Sequence, residues 1–217
     1  NSDALVPFTA NAGTTYYFSI DHGLADGTLG GDFILTLTDA AWEYATNDEV
    51  TSSPAVGSDG TIYVGAGSDD KTDKNIYAVT SNGTKKWSVS TGESGIIGAS
   101  PAIASDGTVY VGGSDKILYA LNGATGARKW TFSAATPISS TPAIASDGTV
   151  YFRDDTRLYA LSSSGSSRWS FDLTGSTDGT YCSPVIGTDG TIYVGTNGGA
   201  FYAVKDNGAS ASQKWKY

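Results

Sequence analysis

The run Ser100-Pro-Ala-Ile-Ala-Ser-Asp-Gly-Thr-Val-Tyr-Val-Gly112 is the strongest indication of the fold, because the chain repeats it. Related runs begin at Ser53, Thr141 and Ser183, and each holds an Asp-Gly pair followed by Thr, then Ile or Val, then Tyr. A second Tyr-bearing segment and a basic residue followed by Trp come after each run. Several short strands that recur every 40 to 50 residues or so indicate the blades of a β-propeller.

The prolines and tryptophans of the repeat keep a nearly constant spacing. The intervals are 47, 41 and 42 residues for the prolines Pro54, Pro101, Pro142 and Pro184. They are 43, 39 and 46 residues for the tryptophans Trp87, Trp130, Trp169 and Trp215. We therefore predict a propeller region over residues 46–217, with four blades at about 51–90, 99–133, 140–172 and 182–217.

Each repeat predicts four antiparallel strands, so the fold class is all-β. In the copy that begins at Ser100 they are Pro101–Ala104, Thr108–Gly112, Ile117–Leu121 and Lys129–Phe132. The Asp-Gly pairs suit tight hairpin turns, and we interpret their aspartates as turn residues in preference to a ring of calcium ligands. The basic residue before each Trp is expected on the outer edge strand, where charge discourages aggregation. These residues are Lys86, Lys129, Arg168 and Lys214.

The amino-terminal segment, residues 1–45, predicts a divergent fifth blade. Pro7 to Tyr16 aligns with Pro54 to Tyr63 without a gap, and Trp42 lies 45 residues before Trp87. On this alignment all five tryptophans of the chain share one position of the repeat.

Composition limits the classes of partner. The formal net charge of -9 argues against nucleic acid and against anionic membrane surfaces. No apolar run approaches the roughly 20 residues of a membrane span, so no membrane insertion is expected. The single cysteine excludes an intrachain disulfide. A chain that starts at Asn1 within a β pattern is expected for a processed or excised product, and the composition is typical of a secreted or cell-surface module.

The repeat resembles that of the pyrroloquinoline quinone (PQQ)-like β-propellers. The run quoted above carries the resemblance together with Leu118-Tyr-Ala-Leu-Asn122 and Gly126-Ala-Arg-Lys-Trp130, and it extends over Ala41 to Tyr217. That family includes quinoprotein alcohol dehydrogenases, outer-membrane assembly lipoproteins and bacterial surface proteins, so the resemblance implies a fold and not a chemistry. Phe8 to Leu37 also resembles the end of a prepeptidase C-terminal type β-sandwich, which is the alternative for residues 1–45. Both resemblances imply a secreted or surface protein.

The residues do not favour an enzyme. The quinoprotein resemblance would imply adjacent cysteines against the quinone and a calcium held by Glu, Asn and Asp. Cys182 has no neighbouring cysteine and aligns with Ser52, Ala99 and Ser140, so we expect a small buried side chain there. The single histidine, His22, lies in a predicted loop without a repeated partner. We predict that PQQ is not a cofactor, and a PQQ-dependent dehydrogenase fragment is the least favoured alternative.

The variable loops point to the binding face. In a four-stranded blade, the loops between strands two and three share a face with the blade-to-blade loops, and these differ most between copies. The ligand-binding candidates on this face are Glu93, Arg153, Asp154, Asp155, Arg157, Asp178 and Tyr181. For the four candidates between 153 and 157 we favour ion pairing with one another at the surface over ligand contact.

A calcium site is the one metal site considered. Asp69, Asp70 and Asp73 are dense in oxygen ligands but lack the Gly and distal Glu of an EF-hand, so solvated loop charge is the favoured interpretation.

These observations predict a non-enzymatic secreted or cell-surface module that serves binding or assembly. Its partner would be a protein or a glycan at the variable loop face. One alternative is a structural subunit of an extracellular filament or surface layer, which would self-assemble. Another is a lectin-like carbohydrate-binding module.

Overall fold

The computed structural model describes residues 6–10, 14–20, 33–37, 40–46, 49–67, 74–91, 99–174 and 182–217, with side chains from Trp42 onward. Within these ranges the chain forms five four-stranded antiparallel sheets. The strands of each sheet follow one another in chain order, as in propeller blades, so the predicted all-β fold is confirmed. None of the residues described belongs to a helix that would be long and apolar enough to cross a membrane.

The strands are bounded as follows. Blade 1 comprises β1 (Val6–Ala10), β2 (Thr14–Ile20), β3 (Phe33–Leu37) and β4 (Ala40–Tyr44). Blade 2 comprises β5 (Ala55–Val56), β6 (Ile62–Ala66), β7 (Asn75–Val79) and β8 (Lys85–Ser90). Blade 3 comprises β9 (Ala102–Ile103), β10 (Thr108–Gly112), β11 (Ile117–Asn122) and β12 (Arg128–Ser133). Blade 4 comprises β13 (Ala143–Ile144), β14 (Val150–Arg153), β15 (Arg157–Leu161) and β16 (Ser167–Asp172). Blade 5 comprises β17 (Val185–Ile186), β18 (Thr191–Gly195), β19 (Phe201–Asp206) and β20 (Ala211–Lys216).

The first strand of blades 2 to 5 is shorter than the sequence predicts. In blade 3 the strand expected over Pro101–Ala104 has only Ala102 and Ile103 in the ladder, where they pair with Tyr110 and Val109. These short strands contact one another from blade to blade, so they form the inner ring of the fold. In blades 2 to 5 the last strand is therefore the outer one, as predicted.

The core lies between neighbouring sheets. The second strand of blade 3, β10, is buried along its whole length, as expected for a sheet covered on both faces. Between blades 2 and 3, Tyr63, Ile76 and Trp87 pack against Val109 and Leu121. Equivalent clusters join blade 3 to blade 4 and blade 4 to blade 5. Each blade is therefore stabilised chiefly by its neighbours.

A tryptophan of one blade packs on a glycine of the next. A Cβ added to Gly83, Gly126 or Gly165 would lie 2.8, 2.8 and 2.6 Å from Cδ2 of Trp42, Trp87 and Trp130, respectively. The indole Nε1 of these tryptophans donates to the carbonyls of Ser81, Gly123 and Ser163. Only a residue without a side chain fits under the ring, so at these three interfaces the tryptophan and the turn glycine form one contact.

Blade 1 joins this series through Trp42. Its ring covers Gly83 of blade 2 in the way that Trp87 covers Gly126 of blade 3. This contact and the four-stranded sheet support the blade interpretation of the amino-terminal segment. The boundary at residue 45 and the sandwich alternative stay predictions.

Candidate functional site

The blades present two different faces. In blade 3, the amide of Gly123, in the turn between strands three and four, donates to the carbonyl of Gly107, in the turn between strands one and two, at 3.1 Å. We call the side that carries these two turns the Asp-Gly face. We call the opposite side, with the loops between strands two and three and the blade-to-blade loops, the loop face.

The Asp-Gly face repeats one hydrogen-bonded arrangement, which we call the clasp. In blade 3, Asp106 Oδ1 accepts from Thr108 N at 2.9 Å and Oδ2 from Thr108 Oγ1 at 2.8 Å. Lys129 Nζ on the outer strand donates to Asp106 Oδ2 at 3.1 Å and to Thr108 Oγ1 at 2.6 Å. The bonds from the Thr108 amide and hydroxyl, with a smaller effect of Lys129, lower the pKa of Asp106 to about 2. The other clasps are Asp59, Thr61 and Lys86; Asp147, Thr149 and Arg168; and Asp189, Thr191 and Lys214.

The clasp bears on two predictions, those for the Asp-Gly turns and for the basic residues before the tryptophans. The Asp-Gly glycines have φ between 75° and 82°, which confirms the turn role of this pair. The basic residues lie on outer strands as predicted, but their charged groups reach back to the first turn of their own blade. The sequence period contained this signal, because the Asp, Thr and basic residue recur together.

A cleft of about 590 Å³ lies on the Asp-Gly face between blades 2 and 3. Asp59, Asp106, Lys129 and Asn122 are among its lining residues. Both carboxylates are already bonded to the threonine and lysine of their own clasps. The sequence predicted binding on the loop face and gave no indication of this cleft.

On the loop face, Asp154 organises the hairpin of blade 4. Oδ1 accepts from Thr156 N and Oγ1 and from Arg157 N, at 2.9, 3.2 and 2.7 Å. Oδ2 accepts from Tyr159 Oη at 2.8 Å and, at 3.2 Å each, from the amides of residues 135 and 136 in the blade-to-blade loop. Burial raises the pKa of Asp154, but the bonds, led by that from Thr156 N, outweigh it and hold the pKa below its usual value. Asp154 thus fixes its own hairpin and the loop from blade 3.

Arg153 ties blade 4 to blade 5. It is fully buried, and its guanidinium donates to the carbonyls of Asp154 and Asp155 and, across the interface, to that of Gly195. Burial lowers the pKa of Arg153, while the nearby Cys182, Asp155 and Asp154 raise it. In blades 2, 3 and 5 the residue at this position is Gly65, Gly112 and Gly195, respectively. The long side chain therefore fills space that glycine leaves elsewhere.

The expectation that these residues pair at the surface is wrong for three of them. Arg153, Asp154 and Asp155 are 0%, 2% and 4% exposed, because the hairpin folds inward against blades 3 and 5. Arg157 is exposed, and it pairs with Asp172 across the β15–β16 ladder at 2.7 Å, not with the neighbouring aspartates. Of the four candidates, Arg157 is the one placed to meet a partner at the surface. Ligand binding by these residues stays a prediction.

Blade 3 carries a matching hairpin that sequence reasoning missed. Asp115 Oδ1 accepts from Ile117 N at 3.0 Å and Oδ2 from Tyr119 Oη at 2.5 Å, as Asp154 does in blade 4. The next residue, Lys116, is exposed and has a φ of 69°, a left-handed conformation that costs a non-glycine residue about 1 kcal/mol or more. The available signal was an Asp shortly before the Tyr of strand three, four residues before Tyr119 in blade 3 and five residues before Tyr159 in blade 4.

The remaining candidates lie outside the described residues. These are Glu93, Asp178 and Tyr181, the calcium candidates Asp69, Asp70 and Asp73, and the loop residue His22. Among the residues that the structure does describe, no group of three His, Cys, Asp or Glu side chains is placed to hold a metal.

Cys182 is exposed, so the expectation of a buried side chain is wrong. Its counterparts Ser52, Ala99 and Ser140 are fully buried. Phe201, which like Cys182 lies next to Gly195, is exposed as well, so this side of blade 5 is open. The residue beside it is Ser183, so the adjacent cysteine pair of the quinone-binding relatives has no counterpart here.

Comparisons with known proteins agree with this architecture. The family model described as "Outer membrane protein assembly factor BamB" matches residues 39–131 and 114–217. No curated protein is significantly similar in sequence. The solved structure of BamB from Moraxella catarrhalis is similar with a TM-score of 0.69 at 17% identity, over 98% of this chain and 67% of that one.

Two further solved structures are similar in fold. A chain of a mitotic checkpoint complex has a TM-score of 0.72 at 10% identity, over 100% of this chain and 65% of its own length. A protein of unknown function from Bacteroides caccae has a TM-score of 0.56 at 15% identity, over 88% of this chain and 70% of that one. The chain thus spans about two-thirds of the first two structures.

Proposed function

Because the chain belongs to the PQQ-like repeat family typified by the outer membrane protein assembly factor BamB, we propose that it is a protein-binding module with a role in assembly. Its binding surface is the loop face. The observation that carries the proposal is a contrast between the two faces. The Asp-Gly face repeats one clasp in blades 2 to 5, while the described parts of the loop face differ from blade to blade.

The described loop face suits a polar protein surface. Blade 3 presents the exposed cation of Lys116, and blade 4 presents the exposed pair Arg157–Asp172. Both hairpins are held by a carboxylate, Asp115 or Asp154, so the backbone beneath these groups should lose little conformational freedom on binding. Charges of both signs at the rim of an interface favour selective encounter with a complementary protein.

The proposal includes a secreted or cell-surface location and no catalytic step. The composition and the assembly factor in the family support a binding role. Glu93, Asp178 and Tyr181 remain proposed contributors from neighbouring loops, and calcium at Asp69, Asp70 and Asp73 remains the weaker proposal for this face.

Photocrosslinking tests which face binds. A photoreactive phenylalanine analogue is placed at Lys116 or Arg157 on the loop face and, as the matched control, at exposed Ser164 in a turn of the Asp-Gly face. We expect the two loop-face positions to capture the same protein from extracts of the source cells, with no such product from position 164. Capture from position 164 alone would contradict the proposal.

Binding of the captured protein, once purified, then provides the quantitative test. Lys116→Glu and Arg157→Glu should each weaken its affinity by about tenfold, which is about 1.4 kcal/mol. Lys205→Glu is the control, because Lys205 is an exposed cation at the Asp-Gly end of β19. Equal losses in all three variants would indicate a general effect of net charge and would refute the assignment of the face.

A further inference from the structure

The cleft between blades 2 and 3 presents polar groups that have no partner within the described part of the chain. Its volume of about 590 Å³ lies within the range of small-molecule sites, roughly 300 to 1,000 Å³. Ser58 lines it from the first turn of blade 2 and Ser105 from the first turn of blade 3. Both serines are exposed, and neither hydroxyl has a hydrogen-bond partner among the described residues. Each hydroxyl is therefore available to a ligand as a donor and as an acceptor.

A turn of blade 3 adds an amide donor that is held in place. Asn122 lines the cleft, and its Oδ1 accepts from two backbone amides of its own turn at 3.0 and 3.1 Å. Its Nδ2 donates to none of the residues that the structure describes. The turn itself is anchored to blade 2, because the carbonyl of Gly123 accepts from Tyr63 Oη and Trp87 Nε1. A donor fixed in this way loses little conformational freedom when it binds a ligand.

The cleft differs from the corresponding region between blades 4 and 5. There Arg168 reaches across the interface, and its Nε donates to the carbonyl of Gly208 at 3.2 Å. Lys86, the equivalent residue of blade 2, bonds instead to Asp59 and Thr61 of its own clasp. The blade 3 turn is also one residue longer than those of blades 2 and 4, since its closing bond spans residues 122–127 and not 80–84 or 162–166. The cleft is therefore not a feature of every interface.

The charged groups at the cleft are already paired with one another. Asp59 pairs with Lys86 and Asp106 with Lys129, in both cases at 3.1 Å. A free ion of either sign would have to compete with these pairs. A neutral ligand would not, because each carboxylate oxygen has further lone-pair positions that can accept from a hydroxyl. The described lining therefore offers donors and acceptors but no unpaired charge.

We propose that this cleft binds a neutral saccharide. Sugar hydroxyls both donate and accept, so they match the serine hydroxyls, the Asn122 amide and the carboxylate oxygens together. The apolar lining residues Val56, Ile103 and Ala124 would cover the CH groups of a sugar ring. A purely apolar ligand would leave the polar groups without partners, which costs binding energy. An extended peptide fits less well, because the free polar groups come from turns and not from an open strand edge.

Titration of the 217-residue chain with maltose, cellobiose, lactose and diacetylchitobiose, followed by amide chemical shifts in NMR, tests the proposal. We expect at least one of these disaccharides to bind in the millimolar range or more tightly and to shift the amides of Ser58, Ser105 and Gly123. Its affinity should stay the same in about 1 M sodium chloride, because salt screens charges and the ligand has none. The inference does not depend on the proposed function, which concerns a protein partner at the loop face.

Removal of the two free hydroxyls provides the decisive comparison. Ser58→Ala combined with Ser105→Ala should weaken binding by at least about tenfold, because two neutral hydrogen bonds are lost. The matched control combines Ser146→Ala with Thr188→Ala, which removes exposed hydroxyls at the same turn position in blades 4 and 5, outside the cleft. The control should bind like the unaltered chain. Absence of binding for all four disaccharides would overturn the proposal, as would equal losses in both double variants, an affinity that falls steeply with salt, or shifts confined to the loop face.

Discussion

Replacing Gly126 by alanine should destabilise the protein clearly more than replacing Gly107, although both glycines have nearly the same conformation. Both lie in turns of blade 3 on the Asp-Gly face, with φ of 74° and 77°. Alanine in this left-handed region costs roughly 1 to 2 kcal/mol at either position. A Cβ at residue 107 would have no atom within 4 Å, so this variant should lose little more than that.

At residue 126 the new methyl group meets the neighbouring blade. It would lie 2.8 Å from Trp87 Cδ2 and 3.0 Å from both Trp87 Cε3 and Val89 Cγ2. The indole must move by roughly 0.7 to 1 Å to reach ordinary contact distance, and overpacking of this kind costs about 1 to 3 kcal/mol. The shift also strains the 2.8 Å bond from Trp87 Nε1 to the Gly123 carbonyl, a bond worth about 1 kcal/mol. We therefore expect Gly126→Ala to cost about 2 to 5 kcal/mol in total.

Equilibrium unfolding in guanidinium chloride, followed by far-ultraviolet circular dichroism, measures both variants on one scale. Most of the extra cost of Gly126→Ala should disappear when Trp87 is also replaced by alanine, because the closest clash partner is then absent and only Val89 remains near the new methyl group. Equal losses for Gly126→Ala and Gly107→Ala, or an extra cost that persists undiminished without Trp87, would refute the interface described here.

Three further predictions concern the carboxylates and the thiol. Asp154→Asn should lower the free energy of unfolding by about 3 kcal/mol, because the amide nitrogen of asparagine would face hydrogen-bond donors of a buried network. Asp172→Asn, at an exposed ion pair, should lower it by less than about 1 kcal/mol. Denaturant titration of both variants checks the difference. Acid should destabilise the protein, because the pKa of Asp106 is about 2 in the folded state, below its unfolded value of roughly 3.9. The contribution of Asp106 to stability is therefore complete above the unfolded pKa and is lost as the pH falls toward 2. Melting temperatures measured from pH 7 to 2 should show this decline, and Asp106→Asn should make it smaller. Cys182 is exposed and should react with a thiol reagent in the folded protein. The variant Ser140→Cys, made in a Cys182→Ser background, places the thiol at a buried position and should react only when the protein unfolds. Timed absorbance assays measure both rates.

The parts of the fold that depend on local sequence were predictable. The Asp-Gly turns needed only the conformational preference of their two residues, and the period of Pro54 and its equivalents fixed the blades. The strand Thr108–Gly112 was also predicted with its observed bounds, because the Asp-Gly turn before it marks where it begins.

The parts that depend on the neighbouring blade were not predictable from one repeat. Nothing near Arg153 in the sequence indicates that its guanidinium ends on the Gly195 carbonyl, 42 residues away. Cys182 matched a buried position of the repeat, but its exposure depends on what covers blade 5. The period showed the tryptophans, yet their pairing with glycines of the next blade required the three-dimensional arrangement.

The forward contacts of Trp42, Trp87 and Trp130 with a turn glycine of the next blade bear on how such a chain can change in length through evolution. Any genetic duplication of one full period copies a donor tryptophan together with a receptor glycine. The inserted unit would then meet the unit before it and the unit after it through contacts that both already possess. Blade number can thus change by unequal recombination without a compensating substitution, and selection can afterwards diversify the loops of the new copy alone.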